Sequence, residues 1–424
     1  MRLNSTNEKL FFYNLPSILF SLIPLFLITG PLLSDFAISM ISLIFLIYCT
    51  KERNFSYFKN KYFYLFLIFW GYLIFNSLIN NFNLGSMKIT MFYFRYGVFV
   101  IAIITIINLD DKYIKYFFYC TLICFIILIL DGFFQYFNGK NIFGFETENP
   151  SRVSSFFHED QILGSYLSRL WPILFALFTI FLKEKNRFYY FFVVIFILSQ
   201  SLIFLSGDRA AFFSIILSSL FIILLSKHLM KLKVLILISN LFLILSVGLI
   251  NPTAHKRVLN ESLKEMNILK HKNNDQIYIF SKTHNEIYIS AYKMFLDNKI
   301  IGVGVKNFRN ICKNPKYHVN SKEICFTHPH NTYLQILTET GILGFFFLLT
   351  CLLYFCKNIF SHILNKFRGK YLFNDFEICI LSGIAIYLWP LVPTGNIFSN
   401  WINIALIINL PFLIWSRKLN IVKK

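Results

Sequence analysis

Histidine is the side chain whose proton affinity lies nearest neutral pH. The run His328-Pro329-His330-Asn331-Thr332 places two of them directly before an apolar stretch. Thr332 with Gln335 three residues on is a capping-box pattern, so a helix is predicted to start at Thr332. His330 then stands just outside a helix N-terminus. Free backbone N–H groups and the positive end of the helix dipole favour an anion at such a place. A titratable imidazole there suits proton abstraction beside a negatively charged group.

Arginine supplies matching charge. Arg95 and Arg169 lie inside apolar stretches, Arg152 precedes another, and Ser206-Gly207-Asp208-Arg209 reads as a tight turn that projects Arg209. Ionisable residues within membrane spans are costly and default to functional candidates. Guanidinium forks bind phosphate oxygens two at a time, so several arginines facing one cavity suit a polyanion. Glu339, on the opening turns of the same predicted helix, and Asn331 are candidates to orient His330. The bland alternatives are an interfacial capping pair for His328 and His330, and internal ion pairs for the arginines, for example Arg95 with Asp131. A metal site drawing on His328, His330 and His318, or on Glu146 and Glu148, or on His158-Glu159-Asp160 also stays open, although His-x-His is a loose ligand pattern.

These residues must be held by membrane helices. Of 424 residues 56% are hydrophobic and 15% charged, with 52 Phe and 23 Tyr. Apolar stretches long enough to span a bilayer recur throughout. The expected fold is an all-α polytopic membrane protein of about twelve spans, near 12–29, 31–49, 62–79, 88–107, 113–131, 161–182, 188–205, 209–226, 232–250, 332–355, 375–393 and 400–416. It forms a single transmembrane domain over 1–424, with a large polar insertion at 251–331. The first stretch ends in Thr29-Gly30-Pro31 without a cleavage pattern and reads as a span.

The net charge of +20 suggests nucleic acid, but its placement excludes that reading. Lysine and arginine concentrate in the termini and in 51–61, 112–115, 183–187, 227–233, 357–370 and 417–424, which alternate between spans. This positive-inside pattern puts both termini in the cytoplasm and the long insertion outside. Within the insertion, Glu286 to Asn298 carries Ile287, Ala291, Met294, Phe295 and Asn298 at helical spacing, an amphipathic helix lying on membrane or bundle. Gly302-Val-Gly304 lacks the rest of a nucleotide fingerprint and reads as a turn. Cys312 and Cys325 are a plausible disulfide on an oxidising face, with free thiols as the alternative. The other six cysteines read as free apolar fillers. His228, His255, His271 and His362 read as surface residues.

With these residues in place, the chain resembles the O-antigen ligase and polymerase-like family of bacterial membrane glycosyltransferases. His330-Asn331, nine residues, then Gly341-Ile-Leu-Gly344 match the ligases' histidine motif in type and spacing. The Arg209 turn is similar to the family's arginine at the start of a span, and Ile300-Ile-Gly302-Val-Gly304 with Phe308 to its loop motif. Phe213 replaces a frequent leucine. A second loop arginine is not obvious; His284 occupies its place, with Arg257 further upstream.

The resemblance implies a GT-C-like fold and a metal-independent inverting glycosyltransferase without cofactor in the inner membrane, acting at the periplasmic face. The donor would be a glycan on undecaprenyl pyrophosphate, the acceptor a sugar hydroxyl of lipid A-core, and the pathway lipopolysaccharide biosynthesis. His330 would be the base. Arg209, Arg152, Arg169, Arg95, His284, His328, Asn331 and Glu339 would contact pyrophosphate or glycan. An O-antigen polymerase joining lipid-linked repeat units is the alternative within the class. A lipid-linked glycan flippase is the alternative outside it, disfavoured by the polar insertion and by the absence of internal repeats.

Overall fold

The computed structural model describes residues 6–80, 84–147, 152–181, 186–228, 233–234, 237–238, 260–267, 277–319 and 325–422. These residues are helical throughout, joined by turns and short loops. Helices α1 (Thr6–Ser21) and α2 (Ile23–Ile28) together cover the first expected span, and α3 (Pro31–Lys51) and α4 (Lys61–Ile79) the next two. Helices α5 (Leu84–Phe92) and α6 (Phe94–Leu109) share the fourth. They are followed by α7 (Lys112–Asn138), α8 (Leu163–Phe181), α9 (Asn186–Leu205) and α10 (Arg209–Leu225). The span expected at 232–250 falls largely outside the described residues. The insertion contributes α11 (Ser262–Glu265), α12 (Lys282–Asp297) and α13 (Phe308–Ile311). The chain closes with α14 (Thr332–Phe367), α15 (Asp375–Leu388), α16 (Asn400–Ile407) and α17 (Asn409–Val422).

Among the described residues six helices are long and apolar enough to cross a membrane: α3, α4, the α5–α6 pair, α7, α8 and α14. Local chemistry sets their ends. Pro31 opens α3 after Gly30, where its missing N–H costs nothing. Gly139 closes α7 in the left-handed conformation. Asn374 and Glu377 form a reciprocal capping box at the start of α15.

The buried core centres on α8. Trp171, Phe175 and Leu174 on this helix are fully enclosed, and Trp171 packs its ring against Phe192 and Phe196 of α9 at 5.1 and 4.4 Å. α15 and α10 lie against it. The outward faces stay apolar: Leu32, Phe36, Ile68, Leu130 and Phe346 are all exposed, which in water would be a liability and in a bilayer is the rule.

Two expectations about α14 need correction. α14 continues to Phe367, so much of the basic run 357–370 is the end of a helix rather than a loop. His362 is fully buried, with Nε2 against the Leu225 carbonyl at 3.1 Å and Nδ1 accepting from the Phe373 N–H at 3.2 Å. It is a satisfied core histidine, not a surface one. His228 is exposed as expected, whereas His255 and His271 lie outside the described residues.

The insertion docks on α14. α12 buries Ile287, Ala291 and Met294 as its spacing requires, together with Ser290, while Phe295 and Asn298 stay half-buried. The Thr338 hydroxyl donates to the Ala291 carbonyl at 3.1 Å. Cys312 and Cys325 are paired as a disulfide, with Cα atoms 5.3 Å apart. This ties α13 to the segment that enters the histidine pair.

Candidate functional site

α14 is broken near its start. Gly341 has φ 65°, ψ −168°, values that remove it from the helix. The break turns nearby backbone polar groups towards the insertion. The Val303 and Gly304 N–H groups donate to the Thr338 and Glu339 carbonyls, both at 2.9 Å. The Ile342 N–H returns a bond to the Lys299 carbonyl at 2.9 Å. Glycine is required on both sides. Gly302 has φ 71°, and a Cβ there would lie 2.5 Å from the Glu339 carbonyl carbon; a Cβ on Gly341 would collide with the Ile300 carbonyl. Asn76 of α4 completes the clasp by donating to the Ile301 carbonyl and accepting from the Val305 N–H.

Glu339 sits beneath the clasp. It is fully buried, accepts from the Phe308 N–H at 3.3 Å and from the Gln335 amide at 3.1 Å. Gln335 also donates to Asn396 at 2.8 Å and accepts from the Ile397 N–H at 3.1 Å. Glu339 therefore braces two loops and does not touch His330. The N-cap of α14 also differs from expectation. Asn331, not Thr332, accepts from the Tyr333 and Leu334 N–H groups at 3.0 and 3.1 Å, while its amide donates to the Pro390 carbonyl at 2.9 Å. Asn331 is thus engaged by the cap and by Pro390, and among the described residues no hydrogen bond joins it to the imidazole. Gln335 is drawn to Asn396 instead of closing a capping box.

Thr394, which sequence reasoning did not single out, holds both histidines. Its N–H donates to the His330 carbonyl at 2.8 Å, its carbonyl lies 3.0 Å from His328 Nε2, and its hydroxyl meets that of Thr332 at 3.0 Å. No local signal marks a threonine 64 residues from its partner. His330 itself has φ 54°, a left-handed backbone costing about 1–3 kcal/mol that a fixed surrounding must maintain.

The His330 ring is half-buried among three others. Ring centroids lie 4.2 Å away for His328, 5.8 Å for His284 of α12 and 5.7 Å for Phe326. Among the described residues nothing hydrogen-bonds its imidazole nitrogens. Burial, followed by the charges that His328 and His284 would carry, pushes its pKa down to about 4. It is thus a neutral, unengaged proton acceptor. His328 is lowered by burial, against the pull of the Thr394 carbonyl. His284 is lowered by burial, with Glu265 opposing and Arg209 reinforcing the shift.

Arg209 is connected to the histidines through Glu265, which lines one cavity with His284. Gly207, at φ 64°, makes the turn, and Asp208 caps α10 by accepting from the Ala211 N–H at 3.0 Å. Arg209 extends from the first turn and grips Glu265 through Nη1–Oε2 at 2.8 Å and Nη2–Oε1 at 2.9 Å. Glu261 lies 3.9 Å away. Glu265 and His284 line a cavity of about 600 Å³ together with Tyr278, Lys282 and Lys264. Arg152 stands at the same turn, donating from Nε to the Ser206 carbonyl at 3.1 Å.

The other arginines lie elsewhere. Arg169 is buried in α8 with its guanidinium 5.1 Å from the Tyr387 ring of α15, one residue before the carbonyl that Tyr333 of α14 bonds at 2.6 Å. Arg95 is ion-paired at 2.5 Å with Asp35, not with Asp131. Asp131 instead accepts from Ser155 and from the Ile142 N–H. Arg257 and Glu148 lie outside the described residues.

The described residues thus form a helical membrane protein in which the strained His330 stands beside His284, and His284 shares a cavity with the ion-pair partner of Arg209. Residues 191–349 match the family model described as O-antigen ligase. The match includes Arg209, Glu265, His284, both clasp segments and His330. No curated protein matches the chain.

Proposed function

We propose that the protein is an O-antigen ligase-type glycosyltransferase. It moves a glycan from undecaprenyl pyrophosphate to a sugar hydroxyl of lipid A-core at the periplasmic face of the bacterial inner membrane. The observation that carries this reading is the neighbourhood of His330: an unengaged imidazole, linked through His284 to the Arg209 fork. The Glu265 carboxylate in that fork stands in for two oxygens of a diphosphate. In this topology the termini are cytoplasmic, twelve helices span, and 251–331 is a periplasmic insertion in a single transmembrane domain.

His330 takes the proton of the acceptor hydroxyl as its oxygen attacks the anomeric carbon. The glycosidic bond to the diphosphate breaks, and its electron pair leaves on the phosphate oxygen. Arg209, with Arg152 at the same turn, neutralises that charge. Attack opposite the leaving group inverts the anomeric centre, and no metal takes part. His328 and Asn331 hold the entry of α14 through Thr394 and Pro390. Arg169 supplies positive potential beneath.

The experiment is deletion of the gene followed by lipopolysaccharide gel analysis. Free core with accumulated lipid-linked polymer is the expected result. Core bearing a single repeat unit would assign the chain to repeat-unit polymerisation, and unchanged lipopolysaccharide would remove it from this pathway.

A further inference from the structure

Arg95, placed apart from the histidines, lines a second cavity of about 340 Å³ with Asp35, Lys88, Tyr96, Phe398 and Asn400. Its guanidinium is held rigidly. Nη2 bonds Asp35 at 2.5 Å and reaches Asn400 Oδ1 at 3.3 Å, Nη1 donates to the Phe92 carbonyl at 2.9 Å, and the Tyr96 ring lies 4.8 Å from Cζ. Nε is buried without a partner. Lys88 brings a second cation to the same cavity, and among the described residues no carboxylate pairs with it. Two cations therefore face one carboxylate, which leaves the cavity positive.

The walls narrow the ligand further. Tyr96 and Phe398, 4% and 2% exposed, close the inner walls, and Asn400 adds an amide that suits a hydroxyl. The surroundings are hydrocarbon: Phe92, which lines the cavity, is 58% exposed, and Leu32 and Phe36, on the same helix as Asp35, are 79% and 56% exposed. An occupant that satisfies all three features carries a phosphate, hydroxyls and an aliphatic chain. The segment between Thr394, which bonds His330, and Asn400, at the Arg95 guanidinium, spans the two sites.

We propose that this cavity is a second lipid site, separate from the His330–Arg209 cluster, which takes the phosphate-ester headgroup of a membrane amphiphile. Lys88 and Arg95 hold the phosphate, and the exposed apolar rim receives the chain. The phosphate can come from a glycerophospholipid or from a phosphorylated sugar lipid.

Native mass spectrometry on the full chain in neutral detergent tests this, with phosphatidylglycerol, monophosphorylated lipid A and uncharged diacylglycerol as probes. Retention of either phosphate-bearing lipid over diacylglycerol is expected, weakened about tenfold by Lys88→Gln. Lys88 is exposed, so this variant should melt like wild type; Asn400→Ala is the second variant. Arg209→Ala and His330→Ala should leave retention of phosphatidylglycerol unchanged, which separates this site from the transferase reading. Retention of phosphatidylglycerol alone marks a phospholipid site, and of lipid A alone a glycolipid site. Equal retention of diacylglycerol, or no effect of Lys88→Gln and Asn400→Ala, would overturn the proposal.

Discussion

Arg209 and Glu265 meet through two parallel N–H···O bonds of 2.8 and 2.9 Å, the geometry in which a guanidinium takes two oxygens of a phosphate. Since the carboxylate fills the fork, a diphosphate must displace it. Glu265→Gln removes the competing charge while keeping the shape. Both side chains are partly exposed, so the gain is modest, about two- to fivefold in donor KM, in the range of an exposed ion pair. Steady-state kinetics with a lipid-linked donor measures it. An increase in KM would mean that Glu265 helps to hold substrate.

The His330 pKa of about 4 fixes a pH profile. Its folded value is lowered, so the neutral, base-competent ring is present across neutral and mildly acidic pH. It is lost only as pH falls through about 4. kcat/KM is expected to stay level down to about pH 5 and then to drop on the acid side. An acid limb centred near 6.5, the ordinary histidine value, would contradict the half-buried, unengaged state of this ring.

The clasp between 299–304 and the break in α14 predicts a sharp contrast among glycines. Gly341→Ala puts a side chain at φ 65° against the Ile300 carbonyl and should cost about 2–4 kcal/mol from backbone strain and overpacking combined. Gly71→Ala on α4, with nothing within 4 Å of its Cβ, should be neutral. Thermal melting of the two variants in detergent decides the matter; equal melting points would show that the clasp does not carry stability.

Loss of the Cys312–Cys325 bridge removes a short loop closure, worth about 3 kcal/mol. Cys312→Ser is therefore expected to loosen the insertion rather than the helical bundle. Hydrogen exchange should rise in 308–331 and stay unchanged in α8. Uniform exchange would mean that α13 and the histidine segment are held without it.

Much of this arrangement could be read from local pattern. The apolar periods located the helices, the spacing of Ile287, Ala291 and Met294 gave the buried face of α12, and the Ser-Gly-Asp-Arg209 turn was legible from its glycine. What escaped was partner choice over long separations. Nothing near Gly302 says that it abuts Gly341, nothing near Thr394 says that it holds His330, and Arg95 was matched to Asp131, whereas the packing of α3 on α6 gives it Asp35. Asn331 took the cap from Thr332 because its side chain, one position earlier, reaches both the Tyr333 and Leu334 N–H groups. His362 looked exposed because its run is basic, yet the helix continues and turns that ring onto α10 and Phe373.

The most direct measurement is transfer by the purified chain, reconstituted with undecaprenyl-pyrophosphate glycan and lipid A-core, comparing His330→Ala with wild type. Donor binding should persist in the variant while product formation falls to background. Turnover at the wild-type rate in a protein lacking that imidazole would refute the role given to His330.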